Sequence, residues 1–310
     1  MERIDGYLVI DEYERVVSDK DDDHYWVYID GEEYYFKPTV FCSGNYAYNE
    51  LLGYHAAKFL GLGACFCDLA VLNGEKGIIS KSLVNDKVRL VSGSEILGDY
   101  LALNFDVVKD MGIDKKIANV VYEYGLSGNM KYFSAMYVNN LEIIWQALEY
   151  RYKDKIDINE VMHQFVLMFI FTIIFGDADK NPGNWFIIED GDNISLSYLF
   201  DSADIFIGYE AGYDPKKMTM CLSTNFKDYE VNLEETLKRF FKTSSREYYN
   251  LFVTMFNKVL LNFLGILDEI EKQIGVTIPL YDRNRLISNF NKNSLRIIEV
   301  IDSFSYMKEH

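Results

Sequence analysis

The sequence has few of the residues that secreted, metal-stapled or disordered proteins use. Its 310 residues include only four cysteines, four histidines and four prolines. The cysteines supply one C-x-C pair but no paired C-x-x-C modules, so we predict reduced thiols and no structural metal. No stretch is rich enough in Gly, Ser or Pro to indicate a linker or a low-complexity tail. We therefore expect an ordered protein along nearly the whole chain.

Export signals and long apolar runs are also missing. Residues 1–17 mix charged with apolar side chains and show no apolar segment followed by a cleavage site. We expect a cytoplasmic protein, or an effector that is secreted without a Sec signal. The most apolar run, residues 165–175, is 11 residues long, whereas a membrane helix needs ~20. We interpret it as a helix buried at the centre of a large lobe.

Basic clusters are absent from a strongly acidic chain. The formal net charge of -17 repels phosphate polyanions and anionic lipid surfaces. We therefore expect no direct nucleic-acid partner and no stable membrane association. Bound divalent cations can reverse the sign of a locally acidic site, so the charge does not exclude a nucleotide.

Aromatic and apolar residues are plentiful, at 15% and 49% of the chain, which is enough for a large core. In the first third, β-prone runs between turn signals predict short strands, and an amphipathic pattern predicts one helix at residues 48–60. The predicted strands are residues 24–30, 33–37, 68–72 and 77–80. The first two strands are joined at Asp30-Gly31, a sequence typical of a tight hairpin turn.

From residue 93 onward the pattern changes to long helices. One strand pair, residues 185–189 and 194–200, interrupts them. We predict an α+β fold with a small β-rich N-terminal lobe, residues 1–84, and a large, mainly helical C-terminal lobe, residues 85–310.

The most informative stretch is FGDADKNPGNWFII, residues 175–188, which leads to LFDSAD. Asp179 and Asn184 are five residues apart, the spacing of the catalytic Asp and the metal-binding Asn in the kinase loop H-R-D-x-x-x-x-N. Asp201 follows at the end of the next strand, where a second Mg²⁺ ligand is expected. An Asp must orient the attacking hydroxyl beside metal-bound phosphates, so these groups have to reach one small volume.

A lysine and a glutamate with kinase-like placement occur upstream. Lys37 ends an aromatic strand and Glu50 lies near the start of the next helix. Such a pair can neutralise phosphate oxygens of ATP. The alternative is an ordinary strand lysine and a helix N-terminal acid favoured by the macrodipole.

Together these motifs resemble HipA-family and CtkA-like bacterial serine/threonine kinases. The motifs that carry this resemblance are N-E-L-L-x-x-x-x-A-K-F-L-G-L, G-I-I-S-K, G-D-A-D-K-N-P-G-N-W and L-F-D-S-A-D. The resemblance implies a bilobal protein-kinase-like fold that uses ATP and Mg²⁺. It implies Lys37 as the phosphate-binding lysine, Asp179 as the catalytic base, and Asn184 and Asp201 as the Mg²⁺ ligands.

The nucleotide site is less defined by the sequence. No G-x-G-x-x-G precedes Lys37, so the phosphate cover has to come from the loop with Ser43 and Gly44 or from the Asp30-Gly31 turn. We expect adenine near the end of the small lobe. The candidate residues there are Ser80, Lys81 and Leu83.

Some features differ from the family or fit other functions. HipA-like loops usually carry His two residues after the catalytic Asp, where this chain has Asn181, which can keep a hydrogen-bonding role. The loop also resembles that of phosphatidylinositol 4-kinases, in which the Asn often runs into a Trp, as Asn184-Trp185 does here. A lipid kinase is therefore one alternative. A pseudokinase that binds a partner without catalysis is another.

Substrate and partner stay open at this stage. A protein substrate is expected, with an antitoxin or a host protein as further partners implied by the resemblance. Autophosphorylation is also expected, with Ser223 and Thr224 as candidate acceptors. Thr39 and Ser43 are comparable candidates.

Overall fold

The computed structural model describes residues 2–16, 25–39, 46–83, 88–104, 139–155, 157–191, 193–209, 222–224 and 232–308. The chain forms two compact units. The first comprises Met1–Asn85, Tyr198–Ile205 and Asn257–Asn289, and the second comprises Asp86–Ser197, Phe206–Phe256 and Phe290–His310.

The first unit is built on a mixed sheet, which has seven strands among the described residues. The strands are β1 (Arg3–Ile4), β2 (Tyr7–Ile10), β3 (Glu14–Arg15), β4 (Tyr25–Ile29), β5 (Glu32–Pro38), β6 (Cys67–Leu72) and β7 (Glu75–Lys81). Their order is β1-β2-β6-β7-β5-β4-β3, and only β2 and β6 pair in parallel within this described sheet. Helix α1 (Tyr46–Leu60) connects β5 to β6.

The hairpin of β4 and β5 follows the predicted turn chemistry. Ile29 pairs with Glu32, so Asp30 and Gly31 form a two-residue loop. Both have positive φ angles, 53° and 78°, as the turn that matches strand twist requires. Val27, Ile29 and Phe36 then point into the core of the sheet, which they share with Ile10, Ala70, Leu72 and Ile79.

The second unit is mainly helical and carries a small antiparallel sheet. The sheet has the order β10-β9-β8, from β8 (Arg89–Ser92), β9 (Phe186–Asp190) and β10 (Asn193–Leu196). Helices α2 (Gly93–Leu103), α3 (Leu141–Tyr152), α4 (Ile158–Phe175) and α5 (Leu233–Thr243) belong to it. Helices α6 (Arg246–Ile274) and α7 (Leu280–Lys308) contribute residues to each unit.

Helix α4 is the core helix that the apolar run predicts. It begins after Asp157, whose side chain accepts a hydrogen bond from the Asn159 main chain, and it ends at Gly176. By length and composition α4 and α6 could each cross a membrane, but 61% of the apolar window of α4 is buried inside the protein. Its last turns are buried on all sides, which fixes the point at which the next loop begins.

Four short strands, β1, β2, β3 and β8, were not predicted from the sequence. Each has two to four residues, which is too short to show an alternating pattern. The second strand of the late pair also ends earlier than predicted, at Leu196. The residues after it leave the small sheet, and Tyr198–Ile205 belong to the first unit.

Candidate active site

A lysine and two carboxylates from distant parts of the chain meet within the first unit. Lys37 lies on β5, Glu50 lies on α1, and Asp201 lies in the Tyr198–Ile205 segment. The Nζ atom of Lys37 is 2.9 Å from Oε1 of Glu50 and 2.5 Å from Oδ1 of Asp201. We call these three residues the lysine cluster. The structure thus brings together three residues that the sequence analysis assigned to one site.

Burial and charge act in opposite directions on Lys37. The side chains of Lys37 and Glu50 are 14% and 6% exposed, whereas that of Asp201 is 32% exposed. Burial alone would lower the pKa of Lys37 because it disfavours the charged form, but the two carboxylates raise it well above its ordinary value. Lys37 is therefore a cation at physiological pH, and Asp201 is the most accessible member of the cluster.

The main chain after Asp201 turns closely against α1, and we call residues 201–205 the Asp201 turn. Asp201 has a φ angle of 50°, a left-handed conformation that non-glycine residues seldom adopt. The Ser202 main chain donates to Oε2 of Glu50 at 2.8 Å, so Glu50 binds Lys37 with one oxygen and this turn with the other. A Cβ atom at Gly53 would lie 2.4 Å from the Cβ of Ser202, so glycine permits this close approach.

The second unit carries the Asp/Asn motif in residues 176–184, which we call the Asp179 loop. Gly176 ends α4 in a left-handed conformation, with a φ angle of 54°. The side-chain amide of Asn184 donates to the main-chain oxygen of Asp179 at 2.7 Å and to its Oδ2 at 3.1 Å. The amide of Asn181 donates to Oδ1 of Asp179 at 2.7 Å. Both oxygens of the Asp179 carboxylate are therefore oriented by neighbouring amides.

A buried ion pair within the Asp179 loop stabilises it. Nζ of Lys180 lies 2.8 Å from Oδ2 of Asp177, and both side chains are fully buried. The other oxygen of Asp177 accepts from the Asp179 main chain at 3.3 Å. Asn139 donates to the Lys180 main-chain oxygen at 2.7 Å and accepts from Nε1 of Trp185 at 3.1 Å. The loop is thus held by a buried ion pair and by hydrogen bonds, which favours a preorganised carboxylate.

The remaining predicted site residues lie at the end of β7 or outside the described residues. Ser80 pairs with Tyr35 and Cys67 in the middle of the sheet. Lys81 is exposed and its Nζ lies 2.8 Å from Glu32. Leu83 follows the strand and is half-buried. Ser43 and Gly44 lie outside the described residues, so their predicted role stays a prediction.

The structure also shows supporting residues that the sequence analysis did not single out. Lys180, Asn139 and Asn49 each bond to a main-chain oxygen or a carboxylate within two residues of a candidate site residue. The spacing of three residues between Asp177 and Lys180 could have indicated the ion pair that these two residues form. The roles of Asn139 and Asn49 had no such local signal, because their partners are 41 and 154 residues away.

Comparison with known sequences finds no match, either among protein-family models or among curated proteins. Solved structures do match. The proinflammatory kinase CtkA of Helicobacter pylori aligns with a TM-score of 0.62 and 13% sequence identity, over 98% of this chain and 100% of that one. The chain has a kinase-like fold. The predicted α+β, bilobal class and the predicted likeness to CtkA-like proteins are thereby confirmed at the level of fold.

HipA of Shewanella oneidensis, solved in complex with HipB and operator DNA, also aligns. The TM-score is 0.47 at 12% identity, over 88% of this chain and 60% of that one.

Proposed function

We propose that this chain is an ATP- and Mg²⁺-dependent kinase that transfers the γ-phosphate of ATP to a serine or threonine hydroxyl of a protein. The observation that carries the proposal is the lysine cluster. A buried lysine that bridges a helix glutamate and an aspartate in a left-handed conformation is costly to build. Surface strand lysines do not need such support.

The roles within the lysine cluster follow from its charges. Lys37 would bind phosphate oxygens of ATP, and Glu50 would hold its ammonium in place. Asp201 contacts the same ammonium and is more exposed than Glu50. A partly exposed carboxylate beside a phosphate-binding lysine suits a metal ligand, because it keeps an oxygen accessible to the ion.

The donor set fits Mg²⁺. Asp201 offers carboxylate oxygens, and Asn184 uses only its amide nitrogen in its two bonds to Asp179, so neither bond engages its carbonyl oxygen. Hard oxygen donors of this kind suit Mg²⁺, which usually completes its shell with water and substrate phosphates. Among the described residues no group of three or more His, Cys, Asp or Glu side chains could form a metal cage. Bound Mg²⁺ would neutralise phosphate charge.

Asp179 is the residue we assign to proton handling. Its carboxylate would orient the attacking hydroxyl and accept its proton. The amides of Asn181 and Asn184 fix the direction of that carboxylate. Asn181 would thus orient Asp179 through a hydrogen bond, at the position where HipA-like loops usually carry histidine.

A protein acceptor is favoured over a lipid by the net charge of -17, which opposes binding to an anionic membrane surface. The partners we propose are a protein substrate and either a neutralising antitoxin or a host protein. Among the candidate acceptors for autophosphorylation, Ser223 is only 8% exposed and forms an isolated β-bridge with Asn140. Thr39 and Thr224 are only half-buried, so we propose them before Ser223 as acceptors.

The decisive experiment measures γ-phosphate transfer by the purified chain. We expect Mg²⁺-dependent transfer to a protein acceptor or to the chain itself, and a loss of at least about 100-fold in Asp179→Ala and Lys37→Met. Lys76→Met and Asp190→Ala are matched controls, because both residues are exposed strand residues outside the lysine cluster and the Asp179 loop. We expect both controls to retain activity.

Three outcomes would contradict the proposal. One is a parent chain that transfers no phosphate to any acceptor, and another is an Asp179→Ala variant that transfers it as fast as the parent. Transfer to phosphatidylinositol vesicles in place of protein would support the lipid-kinase alternative.

A further inference from the structure

Asn49, the residue before Glu50 on α1, forms hydrogen bonds to the main chain of the Asp201 turn. Its side chain is almost fully buried, at 1% exposure. The amide nitrogen donates to the main-chain oxygens of Ala203 at 2.8 Å and Ile205 at 2.9 Å. Both amide hydrogens are thus used on carbonyls of one turn. Together with the bond from Ser202 to Glu50, three of the five residues in the turn are tied to two adjacent positions of α1.

Arg285 of α7 fixes the orientation of this amide. Its Nη2 donates to Oδ1 of Asn49 at 3.2 Å, and its side chain is 7% exposed. An amide could otherwise rotate and present its oxygen to the turn. A guanidinium can only donate, so it selects the orientation in which Oδ1 faces Arg285 and the nitrogen faces the turn. Asp282 lies 3.8 Å from Nε of Arg285 and supports its charge.

The turn needs such external support. Asp201 has a positive φ angle, and a non-glycine residue keeps this conformation only where its surroundings fix it. The same conformation aims the Asp201 carboxylate at Lys37. A turn that loses the bonds to Ala203 and Ile205 would relax and move that carboxylate.

We propose that Asn49, oriented by Arg285, is a positioning residue that places Asp201 for metal binding. The inference rests on the proposed function, since it assigns Asp201 a metal. Mutation of a residue that orients a metal ligand without touching the metal usually weakens metal affinity by about 10–100-fold. Asn49 does not touch the ion in this scheme and acts through the main chain of the turn.

The test compares Asn49→Ala, Asn49→Asp and Arg285→Lys in the full chain. At saturating ATP we expect Asn49→Ala to raise the Mg²⁺ concentration for half-maximal transfer by about tenfold, and excess Mg²⁺ to restore most of kcat. Asn49→Asp has nearly the same shape but faces two carbonyls with an acceptor, so it should be at least as damaging. Arg285→Lys keeps a donor for Oδ1 and should retain most of the parent Mg²⁺ affinity.

Mn²⁺ binding gives a readout that does not need activity. Binding of Mn²⁺ in the presence of ATP, followed by electron paramagnetic resonance, should weaken in Asn49→Ala by about the same factor. Val27→Ala is the control for stability, because Val27 is fully buried in the sheet core and far in sequence from the turn. It should lower the melting temperature and leave the Mg²⁺ and Mn²⁺ dependence unchanged.

The inference fails if Asn49→Ala lowers the melting temperature but keeps the parent Mg²⁺ and Mn²⁺ dependence within about twofold. It also fails if the parent chain binds no Mn²⁺ with ATP. If the parent binds Mn²⁺ with ATP but transfers no phosphate, the proposed kinase function fails, and a weaker Mn²⁺ affinity of Asn49→Ala still supports the positioning role.

Discussion

Breaking the buried ion pair within the Asp179 loop should strongly destabilise the protein. In Lys180→Met the Asp177 carboxylate stays fully buried but loses its lysine partner at 2.8 Å. Removing one member of a buried pair typically costs about 3–5 kcal/mol. A typical domain has about 5–15 kcal/mol of total stability, so this single change would remove a large part of it. Asp177→Asn should cost a similar amount, because it leaves the lysine charge buried.

The double variant Asp177→Asn with Lys180→Met should be much less harmful. It buries no charge, and the Asn oxygen can still accept the bond from the Asp179 main chain. We expect its cost to lie well below that of either single change, which is a strongly non-additive result for residues in contact. The comparison therefore separates the cost of an unpaired buried charge from the loss of packing.

Urea unfolding, followed by tryptophan fluorescence and by circular dichroism, measures these costs where the two signals coincide. Lys272→Met is the matched control. Lys272 also pairs with a carboxylate three residues away, Glu269, but the two side chains are 76% and 59% exposed. Exposed pairs contribute little. The reasoning is refuted if Lys180→Met unfolds at the same urea concentration as Lys272→Met, or if the double variant costs the sum of the singles.

Three further predictions concern the first unit. Gly53→Ala places a Cβ atom 2.4 Å from the Cβ of Ser202, so it should lower the free energy of unfolding by about 1–3 kcal/mol and raise the Mg²⁺ concentration needed for phosphate transfer. The control is Gly265→Ala, whose Cβ would meet nothing within 4 Å and which should leave the melting temperature unchanged or raise it. Glu50→Gln weakens the hold on Lys37 and should lower phosphate transfer by about 10–100-fold with a smaller change in melting temperature. Burial lowers the pKa of His55 below its ordinary value, so the unfolded chain binds a proton at a higher pH than the folded chain does. The free energy of unfolding should therefore fall as the pH drops below about 6.5, and His55→Gln should reduce this pH dependence.

Each of these has a clear contrary result. Equal melting temperatures and Mg²⁺ dependence for the two glycine variants would show that the Asp201 turn can yield without cost. Full activity of Glu50→Gln would remove the lysine cluster from the mechanism. An identical pH slope in His55→Gln would assign the acid sensitivity to other groups.

The sequence carries local signals for the candidate site residues, which stay a prediction, but carries few signals for the residues that support them. Asp179, Asn184 and Asp201 could be proposed from the sequence alone, because the proposed phosphoryl transfer would need these residue types at restricted spacings. The hairpin at Asp30-Gly31 is visible because few sequences adopt its turn. Such signals are local, so they can be read without a structure.

Much of the fold is not local. Strands of two residues, such as β1 and β3, form because a neighbouring strand offers them partners. An amphipathic helix shows that it has a buried face but does not show what covers that face. For this reason the sequence did not indicate that residues 257–289 belong to the same compact unit as residues 1–85.

The Asp179 loop and the Asp201 turn share a structural principle that explains this limit. Asp179 lies in an irregular loop and Asp201 in a left-handed turn, so no helix or strand ladder fixes either carboxylate. Buried polar side chains do this work instead: Asn139 bonds to the Asp179 loop and Asn49 to the Asp201 turn, both through main-chain oxygens. A bond to a main-chain oxygen places no demand on the side chain of the residue that accepts it. The supporting asparagines therefore leave no mark on the motif that they hold, and only the fold reveals them.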